Sequence, residues 1–319
     1  MELGPGEEFD RIRAIARALG NRAADLGDDC AVLPSRPEAL CVSTDTMVED
    51  VHFRLDWLSL EEVGGRAVAA ALSDLAAEGA VPAGVLANVV VPAGADRSAV
   101  PALMRGAGDS AAAAGTRVVG GNLARGDRGW TIAVTVLGWA ARPVTRAGAA
   151  AGDRLWVTGT LGGSRAALQA WQRGDPPAPE ARDAFAHPVP RLAAGRWLAE
   201  HGARAMLDVS DGLAGDAAHL AAASGVKLEI ELDLVPVHPA TIEEASRLGV
   251  AVQEFAAAGG EDYELLAAMP DAFGAAESRE FERATGLALT RVGRVARGSG
   301  VRLTLAGHTR SLAGFDHFR

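Results

Sequence analysis

Four short stretches set aspartate beside glycine or small hydroxyl residues: Gly27-Asp28-Asp29, Ser43-Thr44-Asp45-Thr46, Ser73-Asp74-Leu75 and Asp208-Val209-Ser210-Asp211-Gly212. Carboxylates gathered in one place repel one another and hold their protons more tightly unless a cation neutralises them. Hard oxygen donors of this kind suit Mg²⁺, which keeps several waters and is usually held by one or two carboxylates together with substrate phosphates. Each stretch also has a plainer reading: Asp28 and Asp29 as turn residues, Asp74 as a solvated helix residue, Asp211 as a helix N-cap. Ser43 to Thr46 resists that reading most, because three hydroxyls and a carboxylate at the end of an apolar strand waste burial unless they face a ligand. The metal chemistry is collective and requires stretches far apart in number to converge.

Two glycine clusters raise the question of phosphate. Gly120-Gly121-Asn122 follows an expected strand, and paired glycines let the main chain approach a ligand closely. Gly159-Thr160-Leu161-Gly162-Gly163-Ser164 lies between a strand and a helix, where amides can hold an anion; its spacing is wrong for a dinucleotide fingerprint, and it reads as an ordinary tight turn. Of 31 basic residues only Lys227 is lysine. A P-loop therefore has no candidate lysine, and phosphate contacts must come from arginine, main-chain amides or metal.

The elements that must carry these residues follow from periodicity and punctuation. Phe9, Ile12, Ile15 and Leu19 fall on one side of a short helix, and Leu40 to Val48 alternates as a strand. Ser59 with Glu62 opens a long alanine-rich helix that ends at Gly79 and carries Ser73 and Asp74 near its carboxyl end. Strands are expected near 85–91, 116–119 and 130–139, with a helix over 98–114. A small, glycine-rich, basic stretch around 140–152 marks a boundary, dividing residues 1–141 from 142–319. Beyond it, strand and helix alternate: a strand at 155–158, a helix after Gly162-Gly163-Ser164, a surface loop at 174–179, a helix through Leu198, a strand ending at Asp208, a helix from Asp211, a strand at 226–232, a helix from Ala240, a strand at 263–267, another helix, and strands near 290–295 and 301–305. The fold class is mixed α/β, with a layered second domain.

Bulk properties narrow the field. A formal charge of −10 argues against a nucleic-acid partner, which needs a clustered basic surface. No apolar run approaches the roughly 20 residues of a membrane span, and the first residues lack a secretory pattern, so a cytoplasmic protein without a membrane partner is expected. Cys30 and Cys41 form neither a disulfide framework nor a zinc spacing.

Taken in order, these stretches resemble the thiamine-monophosphate kinases, members of the wider superfamily that includes aminoimidazole ribonucleotide synthetase. The matching pieces run from Gly6-Glu7-Glu8-Phe9 through the acidic turns, Val51-His52-Phe53, Val157-Thr158-Gly159-Thr160 and Gly259-Gly260-Glu261-Asp262-Tyr263-Glu264-Leu265 to Gly314-Phe315-Asp316-His317-Phe318. The resemblance implies transfer of the γ-phosphate of ATP to thiamine monophosphate, with several Mg²⁺ ions and no general base. It implies metal contacts at Asp29, Ser43, Thr44, Asp45, Asp74, Asn122, Asp208 and Asp211, and nucleotide contacts at Gly121, Asn122, Arg146 and Ser210. Substrate contacts fall on His52, Glu261 and Phe315. The implied architecture is an ATP- and Mg-binding amino-terminal domain whose sheet pairs across a homodimer, followed by the layered α/β domain. Asn122 stands where many relatives carry aspartate, and Phe315 where many carry tyrosine or tryptophan. A sister enzyme with another small substrate, a non-catalytic metal- or nucleotide-binding module, and a nicotinamide oxidoreductase using 159–164 are the competing readings.

Overall fold

The computed structural model describes residues 7–23 and 30–315, with side chains from residue 10 onward. Asp28, Asp29, the opening Gly6 and the closing Asp316-His317-Phe318 lie outside the described residues, as does the side chain of Phe9. The chain divides into two compact units, residues 1–75 with 81–141, and residues 76–80 with 142–319.

In the first unit, α1 (Glu7–Leu19) buries Ile15 and Leu19. A four-stranded sheet has the order β1-β4-β2-β3, from β1 (Ala39–Val48), β2 (Val81–Pro92), β3 (Val118–Gly126) and β4 (Thr131–Ala140). Only β2 and β3 pair in parallel. Along β4, buried Ile132, Val134 and Val136 alternate with half-buried Thr131, Ala133, Thr135 and Leu137, so one face of the sheet is covered and the other open. Two helices complete the unit, α2 (Leu60–Ala77) and α3 (Ala99–Ala113). The start of α2 is a capping box: Ser59 N–H donates to Glu62 Oε2 at 2.8 Å and Glu62 N–H to Ser59 Oγ at 3.2 Å. Its end is Gly79, in the left-handed region at φ +67°.

The second unit is built on a seven-stranded sheet. Its strands are β5 (Arg154–Thr158), β6 (Ala205–Val209), β7 (Lys227–Glu231), β8 (Glu264–Met269), β9 (Leu289–Ala296), β10 (Gly300–Leu305) and β11 (His308–Arg310), in the order β11-β10-β7-β9-β5-β8-β6. All neighbours are antiparallel except β7 and β10. Its helices are α4 (Gly163–Arg173), α5 (Pro179–Ala186), α6 (Leu192–Glu200), α7 (Leu213–Ser224), α8 (Thr241–Leu248), α9 (Val252–Ala257) and α10 (Ala275–Thr285).

Every residue of β6 and β8 is buried. The reason is that two separate cores cover them: Leu207, Val209, Leu266 and Ala268 join Leu213 and Leu220 of α7 in one, while Met206, Leu265, Ala267 and Met269 join Leu198 of α6 and Phe281 of α10 in the other. Strands covered on both faces lose the apolar-polar alternation and read as continuous apolar runs. The expected single helix through Leu198 is two, interrupted at His187-Pro188-Val189-Pro190, where proline removes donors and restricts the preceding residue. Helix α9 and strand β11 are additions to the expected elements. Among the described residues, no helix is long and apolar enough to cross a membrane.

Candidate active site

The first unit assembles one acidic wall from β1 and α2. Alternation along β1 sends Ser43 and Asp45 to one side of the strand, and α2 delivers Asp74 to the same side. Ser43 Oγ donates to Asp74 Oδ2 at 2.5 Å. Burial, with Asp74 alongside, pushes the Asp45 carboxyl up to about 6. Two carboxylates and a hydroxyl facing one another in a half-buried setting are a hard-oxygen donor set short of positive charge, which fits Mg²⁺. Thr44 goes the other way: its Oγ1 lies 3.0 Å from Thr135 Oγ1 and 3.2 Å from the Val134 carbonyl, on the opposite side of the strand.

His52 sits in the turn after β1. Its Nδ1 accepts the Val48 N–H at 3.1 Å. A ring nitrogen that accepts carries no proton, so the proton of the neutral imidazole is on Nε2. Gly121 and Asn122 are exposed positions on β3, where Asn122 registers with Asn88. Gly121 is required for a reason beyond any ligand: a Cβ there would stand 1.9 Å from the Ala87 carbonyl oxygen of β2, at φ +152°.

The second unit gathers the remaining candidates around the carboxyl end of β6. Asp208 is buried one residue before the end of the strand, and Ser210 and Asp211 form the turn into α7. The Gly259–Tyr263 segment nests against this turn: Glu261 N–H donates to the Ser210 carbonyl at 2.7 Å and Tyr263 N–H to the Val209 carbonyl at 2.9 Å. Glycine at 260 permits that approach, since a Cβ would lie 2.6 Å from the Ser210 carbonyl oxygen. Phe315 N–H donates to the Asp211 carbonyl at 2.9 Å, and the ring is 58% exposed. Asp208, Ser210, Asp211, Glu261 and Phe315 are thus one cluster. Arg146 is exposed, and its charge reaches the same cluster.

One member of the cluster was not singled out in sequence. Asp216, one turn into α7, is 5% exposed and accepts the Asp211 N–H through Oδ2 at 3.0 Å. Burial, then Asp208 and Asp211, push its carboxyl up to about 8, against the opposing pull of the Asp211 N–H and Arg146. The available signal was a third aspartate five residues after Asp211. Next to Glu261, Asp262 turns its carboxylate onto the Gly162 N–H, at 2.9 and 2.8 Å.

Among the described residues, no three His, Cys, Asp or Glu side chains form a complete metal cage. An ion held at either acidic cluster would complete its shell with water or bound phosphate.

Comparison with known proteins covers nearly the whole chain. The family described as AIR synthase related protein, N-terminal domain, matches residues 27–140, and its C-terminal domain matches residues 150–306. A thiamine-monophosphate kinase of Mycobacterium tuberculosis is 35% identical over 269 residues, covering 83% of this chain and 80% of that protein. The crystal structure of a thiamine-monophosphate kinase from Stenotrophomonas maltophilia superposes with a TM-score of 0.82 at 32% identity, over 97% of this chain and 99% of that one. A structure described as AaThiL complexed with AMPPCP and TMP superposes at 0.80 with 31% identity, over 98% and 97%.

Proposed function

This chain belongs to the AIR synthase related family and within it to the thiamine-monophosphate kinases, and we infer from this that it transfers the γ-phosphate of ATP to thiamine monophosphate, giving thiamine diphosphate. The observation that carries the reading is full-length similarity to a relative complexed with AMPPCP and TMP, one ligand for each side of the reaction.

The chemistry suits the residues. The acceptor is already an anionic phosphate oxygen, so no general base is needed; the barrier lies in bringing two polyanions in line. Mg²⁺, when bound, would supply positive charge that offsets that repulsion. Asp45, Asp74 and Ser43 in the first unit, and Asp208 and Asp211 in the second, supply the oxygens that would hold it. Asp29 and Asn122 belong to the same proposed set, with Thr44 serving through its main chain, because its hydroxyl lies on the far side of β1. Arg146, Ser210 and Gly121 contact the nucleotide. His52 Nε2–H donates to a substrate oxygen, Glu261 offers a carboxylate to the cationic substrate, and the exposed Phe315 ring offers a face for stacking.

The open face of the first unit's sheet carries Leu40 and Val42, 49% and 56% exposed, in register with Trp139 and Leu137. We take this apolar strip as the surface that pairs with a second copy of the chain.

The test is ADP release with and without thiamine monophosphate. Release that depends on this acceptor supports the assignment; release indifferent to it points to a sister enzyme, and none at all to a binding module.

A further inference from the structure

We propose that Asp262 and Ser164 are positioning residues: without touching substrate, they lock the main chain around Glu261 so that its carboxylate is held where the substrate binds. The proposal rests on the reading of Glu261 as a substrate contact.

Glu261 and Tyr263 both have left-handed backbones, at φ +64° and +51°. Neither is glycine, and a bulky residue such as tyrosine is a clear outlier there. Strained residues of this kind persist only where the surroundings over-determine them, and they cluster at functional sites. Here the strain brackets Asp262 on both sides.

Two sets of bonds hold the segment. From one side, the Ser210 and Val209 carbonyls accept the Glu261 and Tyr263 amides. From the other, the first turn of α4 holds both the main chain and the side chain. Ser164 Oγ, 2% exposed, donates to the Glu261 carbonyl at 2.7 Å, with the Ala184 carbonyl at 3.2 Å as a second acceptor. The Gly162 amide donates to both oxygens of Asp262, and the Ser164 amide also bonds that carboxylate.

The logic is that of a helix cap supplied from a distance. The first amides of a helix have no partner within it, and a side chain at the N-cap normally accepts from them. Gly162 occupies that position, at φ +92°, and has no side chain to offer. Asp262, 100 residues later, supplies the missing acceptor, placed where the helix dipole favours negative charge. The α4 turn and the Glu261 segment therefore order each other. Burial pushes the Asp262 carboxyl well above its usual range, while the Gly162 and Ser164 amides pull it the other way.

A double-mutant cycle on the full chain tests this, reading KM for thiamine monophosphate, KM for ATP and kcat for Asp262→Ala, Ser164→Ala, Glu261→Gln and Asp262→Ala/Glu261→Gln. The expected result is a rise of about tenfold in KM for thiamine monophosphate in each single variant, with KM for ATP within about twofold, and no further rise in the double variant over Glu261→Gln. Asp262→Asn, which keeps one acceptor oxygen, should show a smaller shift and completes the same cycle should Asp262→Ala fail to fold. Shifts that multiply in the double variant, or a rise in both KM values alike, overturn the proposal. A Glu261→Gln enzyme with unchanged KM for thiamine monophosphate overturns the substrate-contact assignment itself and the proposal with it.

Discussion

Burial of Asp45, with the charge of Asp74 beside it, sets the behaviour of the metal-free protein. Asp45 titrates near 6 in the folded chain against an ordinary 3.8. A raised carboxyl pKa means that the folded state binds more protons than the unfolded state between the two values. Stability is therefore complete below about 4 and falls as pH rises through about 6, by at most ~3 kcal/mol for this residue. Melting temperatures in EDTA should decline from pH 5 to pH 7, Mg²⁺ should restore them, and Asp45→Asn should flatten the decline. A decline of the same size in Asp45→Asn would remove Asp45 as its source. In the same cluster of proposed ligands, Asp45→Asn and Asp74→Asn should each lower kcat on the order of a hundredfold or more, since fixed charge stabilisation of the transferring phosphoryl group is a leading catalytic term. Steady-state rates at saturating ATP and Mg²⁺ would measure this.

At the scale of elements, α2 links stability to the site along its length. Its capping box lies at Ser59 and Glu62 and its acidic residue at Asp74, a separation of about 22 Å along the helix. Ser59→Ala should cost about 1 kcal/mol and lower the melting temperature by roughly 2–4 °C, with kcat unchanged. A comparable loss of kcat would mean that the helix start and the acidic wall are coupled. This element was legible in sequence because its signals are local: a box at one end, glycine at the other, alanine between. The strands that carry Asp45 and Asp208 were legible for the same reason. What was not legible depends on partners distant in number. Nothing around Asp262 announces that its acceptor role is directed at Gly162, whereas strand alternation already sets the Thr44 hydroxyl on the opposite side from Ser43 and Asp45. The break between α5 and α6 was available in Pro188 and Pro190 and needed more weight than the flanking helical pattern.

For the whole molecule, the two units divide the candidates. The first carries Ser43, Asp45, His52, Asp74, Gly121 and Asn122; the second carries Arg146, Asp208, Ser210, Asp211, Glu261 and Phe315. Ordered motifs along the full chain made the family recognisable. Composition contributed by exclusion: a single lysine left no P-loop. The second face of the first sheet could only be read once register was known, since Leu40 and Val42 look like core residues until Leu137 and Trp139 are seen beside them on an open face. Val42→Asp should shift sedimentation from dimer to monomer, because a charge buried in an apolar interface without a partner is strongly unfavourable. A wild-type chain that sediments as a monomer at micromolar concentration would contradict the pairing.

The central claim is that the acidic turns hold the ions on which phosphoryl transfer depends. Its most direct measurement is anomalous scattering from a crystal grown with Mn²⁺ in place of Mg²⁺, AMPPCP and thiamine monophosphate. The account predicts metal peaks bonded to carboxylate oxygens of Asp45 or Asp74 and of Asp208 or Asp211, with phosphate oxygens completing each shell. Peaks bound only to phosphate and water, or to carboxylates elsewhere on the chain, would contradict it.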